Sequence, residues 1–428
     1  MLLPDTPEYR RAQRQHKKAT KNRPPTIDQE WTPFRAAEKR FKARFPPPDL
    51  SPVLDLACRD KSRANELEAG GWRGSADAVE CLEIPPTSQA GNTIAYHFPT
   101  IPGLVLLPSF VSKEKQRELV IWALSRHARQ PHDTNLDTHY FLPENGLWNS
   151  ARVDSQKEVL VLPRASETTD IETPSPGPRR LVNNTPASPE NFQSISTTPK
   201  PSQAPSPSVQ PALASSLLYK LRWANIGWFY HWGTKQYDFS KGKGTIDGEL
   251  RRICKAAVRS VDWTKVHGSN DDGWGPEGPD WRTWDETYEP DAGIVNFYQE
   301  KASCPPPGQN TDPKYAQPPL WSPSRKLSLG NAAVFLIGGL TRDSEPTPIL
   351  LRSGDVVIMS GPACRRAYHG VPRILEGTLP GHLESRRVED KLMAKEWEPY
   401  EAYMKTTRIN INVRQVFPKG FDPYVNAI

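Results

Sequence analysis

Seven residues near the C-terminal end alternate strictly between polar and apolar: Arg408-Ile409-Asn410-Ile411-Asn412-Val413-Arg414. A period of two belongs to a β-strand, whose successive side chains point to opposite faces. Ile409, Ile411 and Val413 therefore predict a core on one side, and Arg408, Asn410, Asn412 and Arg414 form one row on the other. Two guanidiniums and two amides in a row are expensive to bury unless something anionic meets them. On an ideal strand Arg408 and Arg414 stand about 20 Å apart, at roughly 3.3 Å per residue. They can share a small dicarboxylate only by leaning inward, and Arg is the side chain suited to bidentate carboxylate binding. A solvated polar face on an edge strand is the competing reading of the same residues.

Further short runs, β-branched or alternating and bounded by Gly, Pro and Asn, predict strands over Gly103–Leu107, Ala292–Tyr298, Lys326–Ile337, Asp355–Ser360 and Arg408–Phe417. Helices are predicted over Trp31–Phe45, where Phe34, Ala37, Phe41 and Phe45 form an apolar stripe, over Glu114–Leu124 behind a Ser112 cap, and over Trp397–Met404. Asn135 to Trp148 is irregular but rich in aromatic residues, so an ordered loop is expected there. Helices ahead of several separated strands predict a β-rich α+β fold, a double-sheet jelly roll backed by helices.

The 45 prolines and the hydrophobic share of 36% are out of line with one compact body of this size, so part of the chain is expected to stay unpacked. Between Ser166 and Pro211 the composition turns to Ser, Thr, Pro and Asn, which predicts a disordered insertion inside the fold. The expected organisation is a basic N-terminal extension with an amphipathic helix over 1–100, the first part of the main domain over 101–150, the insertion over 151–214 and the core over 215–428.

The net charge of +6 is unevenly spread, with a basic run through Arg10, Arg11, Arg14, Lys17, Lys18, Lys21 and Arg23. Such a run reads equally as a phosphate-touching or import-directing arm and as a solvated tail. No stretch has the apolar length of a membrane helix, and the first residues lack a secretory core, so an intracellular protein without a membrane partner is expected. Five scattered cysteines with no C-x-x-C spacing argue against a disulfide framework and a zinc knuckle.

His369 follows the run Gly354 to Gly361 in what reads as a tight loop presenting one imidazole, either a structural hydrogen-bonder or a metal ligand. Trp223, Trp228, Phe229, Tyr230, His231, Trp232, Tyr237 and Phe239 form an aromatic cluster. Such rings stack extruded bases in enzymes that act on single-stranded or flipped nucleotides, or simply cover a sheet.

Taken together, Asn296-Phe297-Tyr298, Leu327-Ser328-Leu329-Gly330 with Phe335 to Gly339, Ser353-Gly354-Asp355 through His369, and Arg408-x-Asn410-x-x-x-Arg414 resemble, in order, the elements of AlkB-family iron(II)/2-oxoglutarate dioxygenases. Leu221-Arg222-Trp223, Ile226-Gly227-Trp228 and the Leu340 to Glu345 turn are similar to the eukaryotic AlkB homologue 1 branch. The resemblance implies a double-stranded β-helix with iron(II) and 2-oxoglutarate as cofactors. It implies that Asn296 and Tyr298 contact 2-oxoglutarate, that Arg408 and Arg414 bind its carboxylates with Asn410 in support, and that His369 is the distal iron ligand and the catalytic histidine. The implied reaction decarboxylates 2-oxoglutarate to succinate and removes an N-methyl group as formaldehyde. The implied partner is tRNA or DNA carrying methylated bases, methyladenine foremost, met by a monomer in the nucleus, cytoplasm or mitochondrion.

One element departs from the pattern. The family places H-x-D between the first two of these strands, yet no histidine occurs from Tyr298 to Tyr368. A Pro-rich stretch from Cys304 to Arg325 stands there, with Glu300 and Asp312 as nearby carboxylates. Iron in such a site needs three facial protein ligands. A gene model that lost an exon end, a paralogue that lost catalysis, and a ligand from a distant loop are the three explanations. The alternative function is accordingly a catalytically inactive nucleic-acid-binding protein, and a scaffold that recruits partners through the Ser/Pro insertion is a third.

Overall fold

The computed structural model describes residues 6–21, 31–87, 93–152, 158–164, 187–200, 204–231, 236–268, 281–299, 324–388 and 390–421. Arg10, Arg11, Arg14, Lys17 and Lys18 of the basic run lie on α1 (Pro7–Thr20), which is capped where the Thr6 hydroxyl accepts from the Tyr9 amide, while Arg23 lies outside the described residues; Tyr9 rests edge-on against Phe45. α2 (Pro33–Lys42) follows, capped by Thr32, and buries Phe34, Ala37 and Phe41 at helical spacing. The strands β1 (Leu82–Ile84), β2 (Ala95–His97) and β3 (Leu104–Leu107) come next. The Ser112 cap starts α3 (Lys113–Ile121), which passes into a π-helical turn over Trp122–His127.

After α4 (Phe192–Thr197), β4 (Trp223–Gly227) and α5 (Gly248–Arg259) come β5 (Ala292–Gln299), β6 (Ser324–Gly330), β7 (Ala333–Ile337), β8 (Thr347–Leu351) and β9 (Val356–Met359). The chain then forms α6 (Pro362–Arg366), β10 (His369–Ile374), α7 (Lys391–Met404) and β11 (Thr407–Arg414). Eight strands make one antiparallel sheet in the order β1-β2-β3-β9-β6-β11-β5-β4, and β8-β7-β10 make a second, smaller antiparallel sheet.

Period-two alternation sorts the large sheet into two faces. Leu327, Leu329, Ile409, Ile411, Val413, Val295, Phe297, Val356 and Ile358 join one core with Leu119 and Val120 of α3, Leu250 and Cys254 of α5, and Trp397 and Tyr403 of α7. On the opposite face Leu104, Leu106, Val357 and Met359 meet Phe335, Ile337, Ile349 and Leu351 of the small sheet. The far side of the small sheet, Val334, Leu336 and Leu350, is covered by Phe34, Ala37 and Phe41 of α2. The two sheets thus face each other, with helices over the outer face of each.

Four expectations change. Lys326–Ile337, read as one run, divides at Gly330 (φ 91°) into strands of different sheets; a Cβ there would strike Met404 Cε and the Thr407 carbonyl. The extension expected over 1–100 supplies β1 and β2, so its last third belongs to the large sheet. The disordered insertion expected over 151–214 contains ordered structure: Phe192 and Ile195 of α4, one helical turn apart, pack into a cluster with Trp228, Phe239 and Phe417, and Leu160–Val161 pairs with Ala212–Leu213. Residues 165–186 of that insertion lie outside the described residues. Finally, His369 opens a strand after a short helix and is not carried on a tight loop. Among the described residues, no helix is long and apolar enough to cross a membrane.

Candidate functional site

The alternating strand is β11, and it lies in the middle of the large sheet. Asn410 stands between Asn296 of β5 and Ser328 of β6, and Arg408 between Tyr298 and Gly330. The polar row therefore faces inward, toward the small sheet, and the edge-strand reading fails because both sides of β11 are paired. Arg408 is only 1% exposed. Its Nη2 donates to Ser328 Oγ at 2.8 Å and its guanidinium lies 5.7 Å from the Tyr298 ring centre, while Nε and Nη1 find no partner among the described residues. Arg414 lies 5.5 Å from the ring centres of both Tyr230 and Tyr237, again with Nε unpartnered. Buried donors of this kind carry a desolvation penalty that an anionic ligand would relieve.

His369 faces the same interior from the small sheet, with its ring 5.9 Å from Phe335. Its Nδ1 lies 3.0 Å from the Ala367 carbonyl, so Nδ1 carries the proton and Nε2 is left as an acceptor. Burial, reinforced by the charge of Lys326, pushes the imidazole down to about 3, so it stays neutral near pH 7. A neutral imidazole with a free Nε2 is the form that ligates metals.

Two inward cations, Lys326 and Arg365, were not singled out in the sequence, and a third inward group, Tyr237, was read there only as one ring of the aromatic cluster. Lys326 of β6 sits opposite Asn412 and is 9% exposed. Burial and the charges of Arg414 and Arg408 push its amine down to about 8. The signal was present, since Lys326, Ser328 and Gly330 alternate with Leu327 and Leu329 as the residues of β11 do. Arg365 of α6 is buried with Nε, Nη1 and Nη2 all unpartnered among the described residues, and the Tyr237 hydroxyl is buried and unpartnered beside it. No periodicity marks these two.

The interior thus gathers Lys326, Arg365, Arg408 and Arg414, while the neighbouring carboxylates are engaged elsewhere. Asp291 accepts from the Val416 and Phe417 amides at 2.6 and 2.9 Å. Asp355 pairs with Arg63 at 3.0 Å. The arrangement fits a small organic anion carrying more than one negative charge.

Iron is a different matter. Among the described residues no group of three or more His, Cys, Asp or Glu is placed to hold a metal. His369 supplies a ligand of the expected kind to this interior, and Glu300 and Asp312 lie outside the described residues. The described residues therefore fit the organic anion and do not by themselves fit a facial iron triad.

Much of the aromatic cluster is buried inside the protein. Trp228, Tyr230, Tyr237 and Phe239 are buried against Phe192 and Phe417, Trp223 and Phe229 are half-buried, and Trp232 lies outside the described residues.

Comparison with family models matches residues 191–414 to the 2OG-Fe(II) oxygenase superfamily. The DNA N(6)-methyladenine demethylase ALKBH1A of Arabidopsis thaliana is 28% identical over 413 residues, covering 91% of this chain and 97% of that one. The tRNA demethylase abh1 of Schizosaccharomyces pombe is 27% identical over 392 residues, covering 90% of this chain and 96% of that one. An alpha-ketoglutarate-dependent dioxygenase, the AlkB homolog of Caulobacter vibrioides, is 34% identical over 167 residues, 35% of this chain and 72% of that one.

Proposed function

This chain belongs to the 2OG-Fe(II) oxygenase superfamily and, within it, to the AlkB family, and from that premise we propose that it is a dioxygenase that oxidatively demethylates N-methylated bases, methyladenine foremost, in RNA or DNA. The family's cofactors are iron(II) and 2-oxoglutarate. The two facing sheets are, in this reading, the halves of a double-stranded β-helix. Arg408 and Arg414 hold the carboxylates of 2-oxoglutarate, Asn296 and Tyr298 contact it, Asn410 supports them, and His369 Nε2 is an iron ligand. The observation that carries the reading is the buried guanidinium of Arg408, with two of its nitrogens unpartnered beside Asn296, Tyr298 and Asn410 in the centre of the sheet. The nucleic-acid substrate is supported by the relatives, whose names are those of a DNA N(6)-methyladenine demethylase and a tRNA demethylase.

A second reading has its own observation. With no histidine from Tyr298 to Tyr368 and the Lys326 ammonium close enough to His369 to depress it, the chain as written is a nucleic-acid-binding protein that keeps cosubstrate binding without turnover. One assay separates the two. The chain is supplied with iron(II), 2-oxoglutarate and methyladenine-bearing tRNA or DNA, and succinate and formaldehyde are measured alongside nucleic-acid binding. Matched release of both products supports the demethylase. Binding that weakens with salt, with no succinate formed, supports the second reading. Absence of any 2-oxoglutarate binding overturns both.

A further inference from the structure

The row on β11 explains two of the four cations of the interior and leaves Lys326 and Arg365 without a role, of which Arg365 is the one with every guanidinium nitrogen unpartnered among the described residues. Arg365 belongs to the short helix that delivers His369, and its side chain is 3% exposed. None of its three guanidinium nitrogens has a partner among the described residues. After burial itself, the charge of Arg414 is what most disfavours its protonated form, so the two guanidiniums are neighbours. Tyr237, which lies against Arg414, is buried with its hydroxyl unpartnered. Two other carboxyl or thiol groups stand near. Asp291, on which the charge of Arg414 acts, accepts one bond from a backbone amide at each carboxylate oxygen and none from Arg365 or the Tyr237 hydroxyl, and Cys364 is a buried thiol held protonated, pushed up to about 12 by burial. The unpartnered atoms of the cluster are Nε, Nη1 and Nη2 of Arg365 and Nε of Arg414, which can only donate, and Oη of Tyr237, which can donate or accept.

Two like charges and a phenol do not stay together in a dry interior for the sake of packing, since hydrophobic residues of the same volume would be more stable there. A carboxylate resolves all of it at once, because its two oxygens offer about four acceptor positions and its charge offsets the repulsion. We propose that Arg365 and Tyr237 join Arg414 in seating one carboxylate of the organic diacid, so that one end of the ligand is held by three side chains from three separate elements and the other by Arg408. This rests on the cosubstrate reading of the pocket. It adds the residues that would make the protein discriminate a dicarboxylate from a monocarboxylate, since the second carboxylate is what keeps Arg365 and Arg414 together.

The test is calorimetric titration of 2-oxoglutarate into the full chain with chelator present, for the wild type, R365M, R365K, Y237F and R408M. R365M weakens binding on the order of 30-fold or more, Y237F about tenfold, and R365K restores part of the loss because it keeps the charge. Melting temperature without ligand is unchanged or higher in R365M, which separates a ligand-binding role from a structural one. If R365M and Y237F bind 2-oxoglutarate as the wild type does while R408M does not, the assignment of Arg365 and Tyr237 is wrong and the cosubstrate reading survives. If the wild type itself gives no binding, both fall together.

Discussion

Replacing Arg408 by Met tests the central row most directly, because Met keeps the length of the side chain and removes the charge. Without ligand, Arg408 is a nearly fully buried cation that, among the described residues, makes one hydrogen bond, to Ser328, and leaves two nitrogens unpartnered. Losing that hydrogen bond, made by a charged donor, costs about 1.5–3 kcal/mol. Removing the uncompensated charge returns as much or more, since buried ionic groups replaced by apolar ones of similar volume are often neutral to about 1–4 kcal/mol more stable. R408M should therefore melt at or above the wild-type temperature. With ligand the sign reverses. Truncating one partner of a buried charge pair costs about 2–5 kcal/mol, which is roughly 30- to 4000-fold in affinity. At a 2-oxoglutarate concentration of 100 times its Kd, the wild type gains about 2.7 kcal/mol; at the same concentration R408M gains less than about 0.9 kcal/mol. Thermal melts with and without 2-oxoglutarate read both quantities in one experiment. An R408M protein that melts several degrees lower and keeps the full ligand shift would show that Arg408 is a structural residue.

Other consequences are open to measurement. D291N removes the carboxylate that accepts from two adjacent backbone amides and should lower stability by about 1–3 kcal/mol in denaturant unfolding, with an unchanged midpoint refuting it. Arg352 makes a two-point pair with Asp55 at 2.7 and 3.1 Å in a fully buried setting, so D55A should cost about 3–5 kcal/mol and loosen residues 53–75 against proteolysis. His369 and His382 are pushed down by burial to about 3 and about 4 from an ordinary value of 6.5. Groups depressed in this way contribute stability that is complete above pH 6.5 and is lost as the pH falls through 4 and then 3. Melting temperature should therefore drop across that window, and H382Q should flatten its upper part; an unaltered slope in H382Q counts against the assignment. Manganese(II), used as a spin probe for iron(II), should show no saturable tight site on the chain as written, and sequencing of the spliced message between the codons for Tyr298 and Leu327 should explain why. Tight manganese binding would mean that residues outside those described complete the triad.

The row of polar residues on β11 was legible in the sequence because alternation encodes which side chains share a face. Its burial was not, because a strand's own pattern does not say whether its neighbours sit on one side or both, and it is pairing with β5 and β6 that encloses Arg408. The small sheet was half hidden for a related reason. β8 and β10, which carry Pro348 and Pro372, were not among the predicted strands; both are edges of a three-stranded sheet, where a missing amide donor is tolerated. The Ser/Pro-rich composition concealed α4, whose two apolar residues Phe192 and Ile195 are too few to register as a pattern. Arg365 and Tyr237 reach the same interior from separate elements, a coincidence of tertiary structure that local spacing does not carry.

The strand that comes last of the eleven fills the middle of the large sheet. During synthesis β4 and β5 on one side and β6, β9 and β3 on the other emerge with a gap between them, and each group presents an open edge until β11 arrives to join them. Joining of the two groups thus waits for β11, with pairings of long sequence separation that close slowly and leave strand edges exposed meanwhile. Such a nascent chain has reason to depend on chaperones, and deletion of β11 would leave two unjoined half-sheets in place of a weakened whole.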